Sequence, residues 1–365
     1  MKVALAHDWL NGMRGGERCL DLICKEFPQA ELYTLLYRPE QVSEAIRSRK
    51  VHVSGLQRVP GFLNHYRWFL PLFPMAMESF RVPAGTDLVL STSHCVAKGM
   101  IPPAGAKHLC YCFTPMRYAW SLQEEYFGRN PVKRAALDLA LGRLRRWDKA
   151  ASARVDRFVA ISQYVKARIE KFYGREAAVV YPPVATQFFT PDGRGGHDGY
   201  DLVVSALVPY KRVDLAVRAY ARTGFPLKIA GVGTELEALK KIAAPNVEFL
   251  GRVPDEGVRE LYRRCRFLVF PGEEDFGIVP LEAQACGKPV LAFGKGGLLE
   301  TVAEGRTGVF FSEQTAEALA DAAARAEGIA WDAGAIRRHA EQFGEARFLD
   351  GMRAEIGQLM EGRRR

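Results

Sequence analysis

Two glutamates with seven residues between them, Glu274 and Glu282, frame the stretch of this 365-residue chain best suited to chemistry. The apolar run 266–270 before them reads as a buried parallel strand, and the small and apolar residues after Gly277 fall at helical spacing. Gly287 and Pro289 end that helix. The unit is therefore strand, acidic glycine-containing loop, helix. In an open parallel sheet such a loop stands at the carboxyl ends of the strands, where ligands bind. The backbone N–H groups of Gly277, Ile278 and Val279 point out of the helix start and suit an anion such as a diphosphate. Gly277 lets the backbone come close to that group, and Phe276 shares the loop. A carboxylate repels phosphate, so Glu274 and Glu282 suit sugar hydroxyls instead. Together these features describe a nucleotide-sugar site. The plainer alternative is an acidic loop that caps an ordinary helix.

Further candidates lie at other strand ends. Lys211 and Arg212 follow the strand expected at 202–207 and can neutralise a diphosphate as its sugar leaves. Gly251-Arg252-Val253 ends another strand and either flanks the phosphate and base or simply turns the chain. Gly231-Val-Gly233 is open to the same two readings, and 294–297 is a further glycine-rich loop. Near the N-terminus, Gly15-Gly16 precedes a helix and can cradle a phosphate or merely turn. The opening is not the G-x-G-x-x-G fingerprint of a dinucleotide site, which counts against a dehydrogenase. His94 closes the strand expected at 87–93, where an isolated imidazole is either structural or functional.

The pattern E-D-F-G-I-V-P-L-E followed by A-Q-A-C-G-K-P-V resembles the retaining glycosyltransferases of family 4, as does G-G-E-R at Gly15–Arg18. The resemblance implies an α/β fold of two Rossmann-like domains facing a central cleft, the GT-B architecture, with a C-terminal helix crossing back to the first domain. It also implies that Glu274 contacts the transferred sugar and that Glu282 holds the nucleotide ribose. Phe113-Thr-Pro-Met-Arg-Tyr118 resembles a subgroup that builds bacterial polysaccharides, many of them mannosyltransferases. That subgroup has His where this chain has Phe113, so the contact near the sugar is lost, and His94 is the substitute within reach. The family usually carries an Arg five residues before the Lys; here the position is Ala206, and Arg212 is the compensating cation.

Composition agrees with this reading. A chain of this length suits two domains, placed at 1–183 (acceptor-binding, with 345–365 packing back on it) and 184–344 (nucleotide-sugar-binding). Hydrophobic content of 48% with 25% charged residues is that of a globular protein. No run is long and apolar enough for a membrane span, and 1–7 enters a strand at once, so no secretory signal is expected. Seven scattered cysteines without zinc-site spacing suit a reducing cytosol. No metal site and no cofactor are expected.

The net charge of +9 asks for anionic partners. No helix-turn-helix, zinc-finger or RNP pattern is present, so nucleic acid ranks last. A donor diphosphate, a glycan or lipid-diphosphate acceptor and an anionic membrane account for it better, with the protein cytoplasmic and peripheral at the inner face of the plasma membrane. Two stretches bear on the membrane. One is the aromatic and basic segment 60–81, which either lies in a bilayer interface or fills a core. The other is the basic helix at 133–157, with Lys133, Arg134, Arg143, Arg145, Arg146, Lys149 and Arg154, which is either a solvated face or attracted to anionic lipid.

Strands are expected at 2–6, 31–37, 87–93, 107–112 and 156–162, the last of its domain, and then at 202–207, 227–230, 247–250, 267–270, 290–293 and 308–311. The expected function is retaining, metal-independent transfer of a hexose, mannose from GDP-mannose, to a lipid-linked or polysaccharide-precursor acceptor. The alternative is a catalytically impaired partner subunit of the same fold, favoured by Phe113 and Ala206. A phosphorylase lacks its pyridoxal-lysine motif here, and an epimerase its first-strand signature.

Overall fold

The computed structural model describes residues 1–120 and 131–362, and the side chains of 131–140 lie outside that description. The chain divides into two compact units, Met1–Pro182 with Phe348–Arg365, and Pro183–Arg347.

The first unit is built on β1 (Val3–His7), β2 (Glu31–Thr34), β3 (Val51–Val53), β4 (Leu88–Ser93), β5 (Lys107–Cys112), β6 (Arg157–Ala160) and β7 (Ala177–Val179). They form one seven-stranded parallel sheet in the order β3-β2-β1-β4-β5-β6-β7. Parallel neighbours need crossovers, and helices such as Gly15–Glu26, Pro131–Ser152 and Gln163–Tyr173 supply them. Covered on both sides, β1, β4 and β5 are buried along almost their whole lengths, the polar Ser91, Thr92, Ser93 and His108 included. The chain winds outward from β1 through β2 to β3, then returns to lay β4 on the other side of β1. The winding therefore reverses between β1 and β4, and loops part there to leave a crevice.

Two edge strands escape the sequence pattern. Both β3 and β7 have three residues, with β3 half-buried throughout, too short to show a period. The strand at 156–162 is consequently not the last of its sheet, since β7 pairs beyond it. The strand expected at 31–37 ends at Thr34, and the helix expected at 133–157 ends at Ser152.

The second unit repeats the plan with β8 (Asp201–Val204), β9 (Leu227–Ala230), β10 (Val247–Gly251), β11 (Leu268–Phe270), β12 (Val290–Phe293) and β13 (Gly308–Phe311). Their order, β10-β9-β8-β11-β12-β13, puts the reversal between β8 and β11. Val203, Ile229, Val269, Leu291 and Phe311 meet the helix residues Val217, Tyr220 and Leu319 in one core. Asp201 pins the start of β8. Its carboxylate accepts bonds from Arg266 Nε at 3.0 Å and Nη2 at 2.8 Å, from the Phe267 amide at 3.1 Å, and from the Tyr220 hydroxyl.

The helix Glu345–Glu361 carries Phe348, Met352 and Ile356 on one buried face, the spacing its sequence shows. Phe348 meets Tyr111 edge-on at 5.5 Å, Arg353 pairs with Glu26, and Arg157 pairs with Glu355. The seven cysteines are buried free thiols. Among the described residues no helix is long and apolar enough to cross a membrane.

Candidate active site

Within the second unit, the loops after β8 and β11 stand side by side at the reversal. A Cβ on Gly272 would come within 3.0 Å of the Lys211 carbonyl oxygen, so the two backbones are nearly in contact. From one loop comes Lys211 and from the other Glu274, and their ammonium and carboxylate form an ion pair. Both side chains are mostly buried, at 19% and 16% exposure, which strengthens the pair over one in open water. Lys211 Nζ also lies 5.8 Å from the centre of the Phe270 ring.

Arg212 differs from what its position in the sequence suggests. It is the one non-glycine among the described residues with positive φ, at 51°, where it joins the turn Pro209–Lys211 to the helix Val213–Thr223. Its guanidinium turns to its own helix start and donates to Asp214 at 3.1 Å. The role of companion cation to Lys211 is therefore one it would take up only by leaving Asp214.

The helix Ile278–Ala285 begins at Gly277 with no side chain capping it. Gly277 has φ of 106°, and a Cβ there would stand 3.2 Å from both Leu298 Cδ1 and Thr301 Oγ1. Only glycine fits this turn comfortably. The helix presents the first amides of Ile278 and Val279 at the strand edge, while Phe276 is buried against Phe343. One turn on, Glu282 is buried, and its Oε2 accepts the hydroxyl of Tyr262 at 3.1 Å. Burial and the adjacent carboxylate both push the Tyr262 phenol well above its ordinary pKa, so it stays a donor.

A second backbone supports the acidic loop. The Gly297 amide donates to the Glu274 carbonyl at 2.8 Å, and a Cβ on Gly297 would fall 2.4 Å from Phe276 Cα. The glycines of 294–297 thus permit two chains to touch. Gly231 and Gly233 do the same against the carbonyls of Ser205 and Leu207. Gly251, at φ of 67°, accepts the Gly231 amide at 2.8 Å and closes β10, with Arg252 exposed and Val253 half-buried beyond it. These three lie on the same edge as Lys211 and Glu274 but two strands to the side.

The first unit gathers its own group at its reversal. Gly15 and Gly16 open the helix Gly15–Glu26 after β1, and His94 follows β4. Asp8, fully buried, organises the loop. Its Oδ2 accepts the amides of His94 at 2.7 Å and Cys95 at 2.9 Å, and its Oδ1 those of Val96 at 2.6 Å and Ala97 at 2.7 Å. The same Oδ2 is 3.1 Å from His94 Nδ1, which fixes the imidazole plane. Burial alone would raise the Asp8 carboxyl, but the charge and hydrogen bond of His94 outweigh it and hold Asp8 well below the usual carboxylate range. The rings of His7, His94 and Phe113 form a triangle with centres 6.3–6.5 Å apart. A Cβ on Gly16 would press on Phe113 at 3.2 Å.

The residues singled out in sequence thus fall into two groups, one in each unit. Missed were Asp8, His7, Tyr262 and Thr301. Asp8 was the most findable, an acid directly after an apolar strand; Tyr262 gave no signal, since only packing brings it to Glu282.

The model for "Glycosyltransferase Family 4" matches residues 13–188, and that for "Glycosyl transferases group 1" matches residues 193–341. The chain belongs to glycosyltransferase family 4. An uncharacterized glycosyltransferase of Methanocaldococcus jannaschii is 32% identical over 166 residues, covering 44% of this chain and 46% of that protein. A GDP-mannose-dependent alpha-(1-6)-phosphatidylinositol monomannoside mannosyltransferase of Mycolicibacterium smegmatis is 33% identical over 192 residues, 44% of this chain and 50% of that one. The chain spans about half the length of the curated relatives it matches. In fold, this family 4 chain superposes on the sucrose-phosphate synthase of Thermosynechococcus elongatus with a TM-score of 0.72 at 16% identity, over 99% of this chain and 100% of that one. The two parallel sheets of seven and six strands are the GT-B architecture.

Proposed function

We propose that this chain is a retaining glycosyltransferase that moves a hexose from a nucleotide sugar, mannose from GDP-mannose, to a lipid-linked or polysaccharide-precursor acceptor. The observation that carries the reading is the meeting of Lys211 and Glu274 beside the uncapped helix start at Gly277. In this scheme the donor diphosphate takes the Lys211 ammonium and the amides of 277–279, and a sugar hydroxyl takes Glu274. Glu282, oriented by Tyr262, meets the ribose. As the glycosidic bond breaks, negative charge grows on the diphosphate where the cation and amides already stand. The acceptor hydroxyl attacks from the leaving-group side and gives its proton to the departing phosphate. His94, set by Asp8, offers a polar ring beside Phe113. Cations of the chain balance the diphosphate, so no metal is required, and transfer should survive chelator.

Mannose is supported by relatives named as GDP-mannose-dependent mannosyltransferases, at 31–33% identity. An anionic membrane is the surface at which a lipid-linked acceptor would be met. The segment 59–75, with Trp68 at 79% exposure, suits it.

The test is release of GDP and glycan transfer with GDP-mannose and UDP-glucose, in parallel with Glu274→Ala. Turnover with GDP-mannose that Glu274→Ala abolishes supports the reading. Binding without turnover in the unaltered protein would favour the non-catalytic partner subunit, the reading that Phe113 and Ala206 recommend.

A further inference from the structure

His7 closes β1, and its ring is 1% exposed. Its Nδ1 lies 2.7 Å from Thr92 Oγ1 on the neighbouring strand β4. A threonine hydroxyl has one proton, and the carbonyl of Ala6, 3.2 Å from Thr92 Oγ1, is an acceptor within its reach. With that proton given to the carbonyl, the Thr92 oxygen accepts from His7, and Nδ1 carries the imidazole proton. Burial is the largest influence on this ring and lowers its pKa, which leaves it neutral at pH 7. Its Nε2 then holds a bare lone pair, and among the described residues no group donates to it. A buried acceptor without a donor is costly, and folded chains keep few.

We propose that His7 Nε2 accepts a hydrogen bond from a hydroxyl of a sugar bound at the carboxyl ends of β1, β4 and β5. The surroundings match that ligand. Phe113 gives an apolar ring for the C–H face of a pyranose, and His94 a second polar ring. Asn11 Oδ1 and Thr114 Oγ1, on the loops after β1 and β5, are two more buried oxygens without partners. Access follows from the ring triangle. His7 is its buried corner, while His94 and Phe113 are partly exposed, so a ligand would approach His7 past these two rings. The inference deepens the glycosyltransferase reading and rests on it for the class of ligand. It also answers what Phe113 took away: the hydrogen bond that Phe113 cannot make moves to a neighbouring ring.

The full chain, labelled with ¹⁵N-histidine, should show His7 as the Nδ1–H tautomer, with Nε2 shifted upfield when a sugar ligand is added. Calorimetric titrations of GDP, GDP-mannose, UDP-glucose and methyl α-D-mannoside would then compare the unaltered protein with His7→Phe and His7→Gln. His7→Phe should bind the sugar-bearing ligands about tenfold more weakly with GDP unchanged, the loss of one hydrogen bond, and His7→Gln should recover part of it. A loss for GDP-mannose identifies the transferred hexose as the source of the hydroxyl; a loss for the mannoside identifies an acceptor sugar. Unchanged affinities in His7→Phe, a protonated Nε2 in the ligand-free protein, or no binding of any sugar-bearing probe would overturn the proposal. Should the mannoside bind through His7 while no nucleotide binds at all, the donor reading falls and this one stands.

Discussion

At the scale of single residues, Lys211 and Glu274 solve a problem that each would have alone. A carboxylate and a lysine that are both mostly buried lose solvation, and pairing them restores part of it. In the proposed scheme, donor binding would exchange one partner for another rather than bury new charge. Lys211→Met should therefore lower kcat by about a hundredfold, as loss of a leaving-group cation does. It should also destabilise the protein by about 1–2 kcal/mol through the stranded Glu274 charge. Adding Glu274→Ala should recover much of that stability without recovering the rate, a non-additivity read from thermal unfolding and initial rates. Tyr262 acts one step back. Its hydroxyl fixes one oxygen of Glu282, so Tyr262→Phe should raise the donor KM about fivefold with kcat held, the worth of a neutral hydrogen bond. If Glu282 meets the ribose, the same variant should lose its preference for GDP over 2′-deoxy-GDP; an unchanged preference would separate Tyr262 from sugar recognition.

The elements explain why so much of this was legible in the sequence. Buried parallel strands announce themselves as apolar runs, and β5, β9, β12 and β13 begin and end where those runs do. The strand-loop-helix unit around Gly277 was legible for the same reason, since its glycine, its acids and the helical spacing all lie within one short segment. What was hidden depends on residues distant in sequence. Asp8 receives the amides of 94–97 across two strands, and Tyr262 reaches Glu282 from another helix. Arg212 carries local features its residue type does not announce: a left-handed backbone, and a guanidinium that donates to Asp214 two residues on. Gly277→Ala tests the helix start. It places a methyl at φ of 106° and 3.2 Å from Leu298 and Thr301, and should cost about 1–3 kcal/mol of stability. It should also push the helix start off its ligand, so nucleotide-sugar affinity should fall further than stability alone would require. Equal affinity in a destabilised variant would show that the amides of 277–279 do not meet the donor.

For the molecule as a whole, a charge of +9 is an asset only beside something negative, and it is unevenly placed. No acidic residue stands between Glu44 and Glu78, whereas Arg47, Arg49, Lys50, Arg58, Arg67 and two histidines do. In that same interval the aromatic segment divides between the core and the surface. Phe62, Leu70, Phe73 and Met77 are buried in the core of the first unit, while Val59, Leu63, Trp68, Leu72 and Met75 are left exposed at 37–79%. Of the basic helix, Arg143, Arg146 and Lys149 are exposed, Arg145 is spent on the Ala119 carbonyl at 2.7 Å, and the side chains of Lys133 and Arg134 lie outside the description. An indole and several aliphatic side chains held out by a buried set, within a stretch free of acids, is what an anionic bilayer surface attracts. The protein should therefore co-sediment with phosphatidylglycerol vesicles and not with phosphatidylcholine alone. Trp68→Ser should weaken that binding about tenfold, the transfer free energy of one large side chain, at any ionic strength. Arg67→Glu should weaken it comparably at low salt and far less at high salt, because a charge outside the protein is screened while an apolar contact is not. Sedimentation that ignores both substitutions would remove the membrane from the account and leave the exposed apolar residues to a different partner.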